Sequence, residues 1–463
     1  MDAIRPLALV LGLFTQDTLV LRGGKLFDGV RDETVANPGV VVRGGRILAV
    51  GGPLAGLDGA GTLVVELEQD ETVLPGLFDL HAHYALDLFG RGRVDETTTV
   101  PLLFLANGVT ATFPAGEVDP EAMRALRVAI DRGECVGPRI YNSGPYFGSS
   151  RRGWRDDMPI AELQAEVDRQ AELGARGFKA KGIGPEHLRA LIERAHLHGA
   201  TVTGHLGSGF RGTVNPRDAI EMGIDRVEHF LGGDALPADA PAYSSLVDVD
   251  PGSAAFDAIA RLYVERGVYF DATLSAYGYY GEQEPLVFGH FDEGEATGAY
   301  FTPHVRALLA GRPERRVSER FERIYHVKRR TLKAFYDAGG GHLITLGTDH
   351  ASWGQYLQGF AAQRELHCLV LAGLPPAAAL KCATINGARA LGVGDLLGSV
   401  EPGKLADLVV VGGDPLADIR NTRDVRRVVK SGRLFDAKEL LAQARGTLGP
   451  ADESQEAAWK PGR

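Results

Sequence analysis

Two histidines one residue apart, His81 and His83, close the run LPGLFDLHAH and are the sharpest chemical signal in the sequence. Side chains two apart on a strand point the same way, so both imidazoles can ligate one cation. An H-x-H pair alone recurs by chance on protein surfaces, but here a Pro-Gly turn, an apolar strand and Asp79 precede it. Residues of ligand type then return at strand-like positions. Lys179 and Lys181 lie in GFKAKG, His205 closes ATVTGH, His229 follows in IDRVEHF, and Asp349 stands in LITLGTDHAS. A single histidine on a strand is more often structural than ligating. A set of such side chains, each at the carboxyl end of a predicted strand, reverses that expectation.

The elements that must position them alternate. Eight short strand candidates stand out: Leu77–His81, Val109–Phe113, Arg139–Ser143, Gly177–Lys181, Ala200–His205, Asp225–His229, Val268–Thr273 and His342–Asp349. Segments of helical period such as PIAELQAEVDRQAELG and GPEHLRALIERAHLHG separate most of them, several ending in Gly. The pattern predicts an α/β fold, a (β/α)8 TIM barrel whose active-site mouth lies at the strand carboxyl ends. Short β segments at both termini, with GVVVRGGRILAVG reading as a hairpin over Gly44-Gly45, predict a small β-sandwich domain built from both chain ends. The expected divisions are 18–74 and 398–436 for the sandwich, 75–397 for the barrel, and 437–463 for a C-terminal helix and polar tail. No G-x-G-x-x-G opens a βαβ helix and no GxxxxGK[ST] occurs, which removes the usual support for nucleotide folds.

Taken together, TLVLRGGKLFDG, PGLFDLHAH, GFK, GHL, VEH, GTD and GSVEPGKLADLVVV resemble the amidohydrolase superfamily, in its imidazolonepropionase-like and Xaa-Pro dipeptidase-like branch. The resemblance covers nearly the whole chain and is specific to the superfamily rather than to a substrate. It implies two divalent metal ions: His81, His83 and Asp349 would hold one, and His205 and His229 the other. Lys179, carboxylated by CO2, would bridge them as a carbamate. A modified lysine has a chemical reason, since an ammonium has no lone pair and repels a dication, whereas a carbamate offers two anionic oxygens. Lys179 and Lys181 face one side by parity, so the residues alone leave both open; the spacing in GARGFK resembles the family's lysine at 179. Zinc suits mixed imidazole and carboxylate ligands, with manganese or cobalt as alternatives.

The function so implied is hydrolysis of an amide bond in a peptide-like, N-acyl amino acid or X-Pro substrate. A metal-bridging hydroxide would attack, with Asp349 as proton shuttle. A mononuclear deaminase is the first competitor, but such relatives carry H-x-x-E where this chain has His205-Leu206-Gly207-Ser208. Cyclic amides and lactones are split by the same machinery. A barrel used only for binding would have lost ligands that are present here. Tyr146, beyond strand three, and Tyr277, beyond strand seven, are candidate substrate contacts. A connection of about 40 residues follows strand seven, rich in aromatics (Tyr277, Tyr279, Tyr280, Phe288, Phe291, Tyr300, Phe301), and reads as a lid or a packed flap. His187, His196, His198, His326 and His367 read as surface or packing residues, and His350 could turn either way.

Composition narrows the partners. The net charge of −10 argues against nucleic acid, and 44% hydrophobic residues can build a large core. Three cysteines without a CxxC pair exclude a disulfide scaffold and a cysteine zinc cluster. A small molecule or short peptide is the expected partner, with a homo-oligomer as a further expectation. No run approaches the roughly 18 apolar residues of a membrane span. The apolar Pro6–Phe14 reads as a packed arm of a cytoplasmic protein, or alternatively as a weak export signal.

Overall fold

Alternating apolar residues in the terminal segments assemble one mixed sheet. The computed structural model describes residues 18–52, 59, 61–280, 287, 298–310, 318–350 and 358–461. In it Thr18–Leu26 runs parallel to Thr62–Pro75 and antiparallel to Val40–Arg43. From the other end of the chain, Leu408–Gly412 pairs antiparallel with Thr62–Pro75, and Val425–Lys430 and Arg433–Asp436 extend the same eight-stranded sheet. Leu19, Leu21, Val40, Val42, Val73, Leu408, Val410 and Val429 form a core of their own there.

The two Gly-Gly pairs behave differently. Gly44 and Gly45 both take positive φ (56° and 76°) and close the expected hairpin between Val40–Arg43 and Arg46–Val50. Gly23-Gly24 makes no turn. It kinks a single strand, with the register slipping between Gly23 and Lys25, and a Cβ on Gly24 would lie 2.5 Å from the Glu71 carbonyl oxygen.

The eight predicted strands are all found and a ninth, Tyr146–Phe147, joins them, as parallel strands in two groups. Arg139–Ile140, Val109–Pro114 and Leu77–Ala82 form one; Tyr146–Phe147, Gly177–Lys181, Thr201–His205, Arg226–Glu228, Tyr269–Asp271 and Ile344–Thr345 form the other. Backbone bonds run between the groups: Leu80 N donates to Leu346 O (2.9 Å), and Arg176 N donates to Asn142 O (2.9 Å). Helices of the expected period lie between strands, for example Ile160–Glu172, Pro185–Leu197 and Glu319–Asp337, the last capped by the Ser318 hydroxyl.

Most strand bounds shift by a residue or two from the sequence reading, and three differences are larger. The third strand was expected over Arg139–Ser143 but breaks after Ile140, because Asn142 and Ser143 turn to donate to the buried Glu117 carboxylate (2.6 and 3.2 Å). The last strand is only Ile344–Thr345; beyond it Leu346 N donates to Cys382 O and Asp349 N to His81 O, so the regular ladder stops. The aromatic connection is partly helical, with Leu274–Tyr280 and Pro303–Leu309. Tyr277, Tyr279, Tyr300 and Phe301 are buried, whereas Phe288, Phe291 and the Pro6–Phe14 segment lie outside the described residues. Among the described residues no helix is long and apolar enough to cross a membrane.

The parallel strands enclose charge as well as hydrocarbon. Arg226 and Asp271, both buried, pair at 2.9 Å, and Arg226 Nη2 also donates to Leu80 O (2.9 Å). Arg226→Met would leave Asp271 buried without its counter-charge. Unfolding free energy should fall by about 3–5 kcal/mol. Urea denaturation reads this directly, and a loss below about 1 kcal/mol would show that the pair carries no stabilising role.

Candidate metal centre

The carboxyl ends of the strands converge on Asp349. His81 sits within the strand Leu77–Ala82 and His83 just beyond it, and both rings reach one carboxylate oxygen: His83 Nε2 lies 3.0 Å and His81 Nε2 3.3 Å from Asp349 Oδ1. The opposite edge of the His81 ring faces a second carboxylate, with Nδ1 3.5 Å from Glu228 Oε1. His229 Nε2 stands 3.7 Å from Glu228 Oε2. The His205 ring lies 4.4 Å, centroid to centroid, from that of His229. Two sets of donor atoms therefore cluster tightly enough to share a cation: His81, His83 and Asp349, and His81, Glu228 and His229.

Glu228 is the residue that sequence parity misses. Consecutive strand residues face opposite ways, so Glu228 and His229 should not meet. They do because the strand ends at Glu228 and His229 takes φ +72°, in the left-handed region, which turns its ring back toward the centre. Asp349 does the same with φ +54°. Such conformations cost of order 1–3 kcal/mol each and gather at functional sites.

Lys179 is buried in the strand Gly177–Lys181, and its amine is ion-paired with the Glu228 carboxylate, which also accepts from Thr203 Oγ1 (3.0 Å). Burial pulls this lysine well below its ordinary value, and the charge of Lys181 adds to the effect. Lys181 is half-buried, in register with His205, with its ammonium 6.0 Å from the centre of the Tyr146 ring. The two lysines share a face as expected, but they sit at different depths.

Burial also fixes the charge state of the imidazoles. His81, His205 and His229 are held well below the usual histidine range, and His83 is pushed down to about 4, in each case first by loss of hydration. Burial alone would raise Asp349; the electrostatic attraction of His81, then the hydrogen bonds of His81 and His83, outweigh it and hold the carboxyl well below its usual range. Neutral imidazoles beside an anionic carboxylate are the forms that bind a cation. The fit has a direct sign: His81 Nδ1 and His229 Nε2 are buried with no hydrogen-bond partner.

The two candidate tyrosines are placed differently. Tyr146 is buried beside Lys181. Tyr277 is buried too, but it stacks on Tyr243 (6.0 Å), and Tyr243 is the ring that packs against His205 and His229 (5.8 and 6.5 Å). Tyr243 lies in PADAPAYSSL, which has no periodicity to single it out. His187, His196, His198, His326 and His367 have partners away from the centre, such as Asp225 for His196 and Asp168 for His198. His350 turns to Ser275 (3.2 Å).

Comparison with known proteins agrees with the motifs. The profile of the amidohydrolase family matches residues 72–435. A 5-methylthioadenosine/S-adenosylhomocysteine deaminase of Syntrophomonas wolfei is 34% identical over 134 residues, 23% of this chain and 31% of the deaminase. An imidazolonepropionase of Geobacillus kaustophilus is 54% identical over 46 residues, 10% of this chain and 11% of that enzyme. The chain thus matches under a third of the length of either curated relative. Among solved structures, a Xaa-Pro dipeptidase with methionine in its active site superposes with a TM-score of 0.67 at 24% identity, over 90% of this chain and 100% of the dipeptidase. At that identity the likeness is one of fold.

Glu117 offers a test of the electrostatics at the edge of the centre. Its buried carboxyl is pushed up to about 8 by burial, with Asp95 adding to the rise. A raised carboxyl contributes stability fully below its unfolded value near 4.5, and loses that contribution as pH climbs through about 8. Glu117→Gln keeps the shape without the charge. Its melting temperature relative to the native chain should therefore rise from pH 5 to pH 8.5, and a difference independent of pH would refute the assignment.

Proposed function

This chain belongs to the amidohydrolase family, hydrolases acting on carbon–nitrogen bonds, and on that premise we propose that it is a binuclear enzyme cleaving the amide of an N-acyl amino acid or X-Pro type substrate. The observation that carries the reading is the buried donor set around Asp349 and Glu228: two imidazoles on one Asp349 oxygen, and ring nitrogens of His81 and His229, without a hydrogen-bond partner, 3.5 and 3.7 Å from the Glu228 carboxylate. In this reading His81, His83 and Asp349 would hold one cation and His205 and His229 the other, with Lys179, as a carbamate, a further ligand and zinc the metal. Bound there, the cations supply Lewis acidity and a water acidic enough to ionise near neutral pH.

The chain's own groups do the rest. Asp349, ionised and at the centre, accepts the proton of the attacking water and passes it to the leaving nitrogen. Burial disfavours the Lys179 ammonium, and the free amine is the form that adds to CO2; Glu228 is the carboxylate within reach of the proton released. Tyr146 and Lys181 border the substrate space. We take the parallel strands as a closed (β/α)8 barrel over 75–397, supported by the Leu80–Leu346 and Asp349–His81 backbone bonds. The mixed sheet is then a small sandwich domain of 18–74 and 398–436, with 437–463 a C-terminal helix and polar tail. A mononuclear deaminase is the second reading, favoured by the short deaminase match. Against it stand Lys179 inside the donor cluster and Ser208 where a glutamate would be needed.

Metal analysis of the purified full chain should find close to two divalent ions, and a chelator should abolish hydrolysis of an N-acyl amino acid and X-Pro library reversibly. Full activity without metal would end the proposal. Lys179→Ala should lose one or both ions while Lys181→Ala keeps two; the reverse pattern would move the carbamate to 181.

Asp349→Asn preserves size and a weak oxygen ligand but removes the proton acceptor. Turnover should fall at least about 100-fold, with metal content less affected. Near-native turnover would assign the proton to another group.

A further inference from the structure

Thr273 stands two residues past the strand Tyr269–Asp271, between the strands that carry His229 and Asp349. It is fully buried and takes φ +49°. Among the described residues only six non-glycines have positive φ, and three of them are His229, Thr273 and Asp349. A β-branched residue is poorly suited to that region, so its surroundings must hold it there.

The Thr273 hydroxyl has three neighbours: the Ala272 carbonyl oxygen at 2.8 Å, His229 Nδ1 at 2.9 Å and Lys328 Nζ at 3.2 Å. A hydroxyl has one hydrogen and two lone pairs. The carbonyl can only accept, so it takes that hydrogen. The two lone pairs are left for the amine of Lys328 and for His229, whose Nδ1 must then be the donor. The other ring nitrogen, Nε2, carries the lone pair, and it is the buried nitrogen with no hydrogen-bond partner.

We infer that Thr273, held in place by Lys328, is a positioning residue of the metal centre: it fixes His229 in the Nδ1-protonated form and so presents Nε2 to a divalent cation. Lys328 reaches in from the helix Glu319–Asp337, and its amine also lies 3.8 Å from the centre of the Tyr277 ring, which stacks on Tyr243. One buried amine thus braces both a proposed ligand and the tyrosine wall beside it. Partners that orient a ligating histidine usually accept from its second nitrogen, and losing one costs about 10- to 100-fold in metal affinity.

The inference rests on the proposed metal centre, so the experiment separates the two. Zinc affinity of the metal-free full chain is measured by competition with a chromophoric chelator, for the native chain, Thr273→Val, Thr273→Ser and Lys328→Met. Thr273→Val keeps the shape and should weaken the more loosely held ion about 10- to 100-fold, while Thr273→Ser should restore it. Lys328→Met leaves the hydroxyl in place and should weaken the same ion by a smaller factor; it serves as the readout if Thr273→Val does not fold. Nitrogen-15 spectra of histidine-labelled, metal-free protein should show His229 protonated at Nδ1 in the native chain. Native-like affinity in folded Thr273→Val and Lys328→Met, or an Nε2-protonated His229, would overturn the inference and leave the metal centre standing. A native chain that binds no zinc would overturn both.

Discussion

One buried carboxylate oxygen, Asp349 Oδ1, is shared by two imidazoles, of His83 and His81, that enter the chain 266 and 268 residues earlier. All three groups are buried, so each depends on the others for its charge state. The backbone is built to hold that contact: Asp349 N donates to His81 O (3.0 Å), and the carboxylate of Asp79 accepts from Thr348 through both its amide (3.1 Å) and its hydroxyl (2.7 Å). Close approach also explains Gly347. A Cβ there would lie 2.7 Å from the His81 Cβ and 3.1 Å from the Asp271 carboxyl carbon, so any larger residue would force the first and last strands apart.

Burying so many ionisable groups is costly unless opposite charges are stacked within reach. The interior follows that rule in layers. Arg226 lies against Asp271. Farther out, Lys328 faces Glu365, which accepts from the amides of Leu274 and Ser275 (2.8 and 2.6 Å). Burial moves that last pair in opposite directions, Lys328 down and Glu365 up. The positive φ values at His229, Thr273 and Asp349 fit the same picture. Strain at three adjacent strand ends persists only because the hydrogen bonds around them leave no relaxed alternative.

How much of this was legible in the sequence depended on how regular the backbone was. The positions of His81 and Lys179 could be read because strand parity operates where the strands are regular, and Gly177–Lys181 has the same bounds in both views. Glu228 could not, since the parity that exposes His81 and His83 hides a glutamate next to a histidine whose φ is inverted. Lys328 was hidden for a different reason. It lies on the buried face of an amphipathic helix among Ile324, Val327 and Leu332, where a periodicity reading expects a hydrocarbon and finds no chemistry to report. Tyr277 was visible as part of an aromatic cluster, yet Tyr243, in a segment without pattern, takes the place against the imidazoles.

The terminal sheet bears on the centre more directly than its distance in sequence suggests. Its long strand Thr62–Pro75 runs through Gly76 into Leu77–Ala82, which carries His81. Gly76 N donates to Asp407 O (2.8 Å), one residue before the sheet strand Leu408–Gly412, and a Cβ on Gly76 would collide with the Thr110 side chain. The junction therefore cannot slide along either sheet. A one-residue slip would turn His81 and His83 away from Asp349. The segments from the two chain ends thus act as a clamp on the strand whose register the site can least afford to lose, which gives a physical reason for a sheet built from both termini.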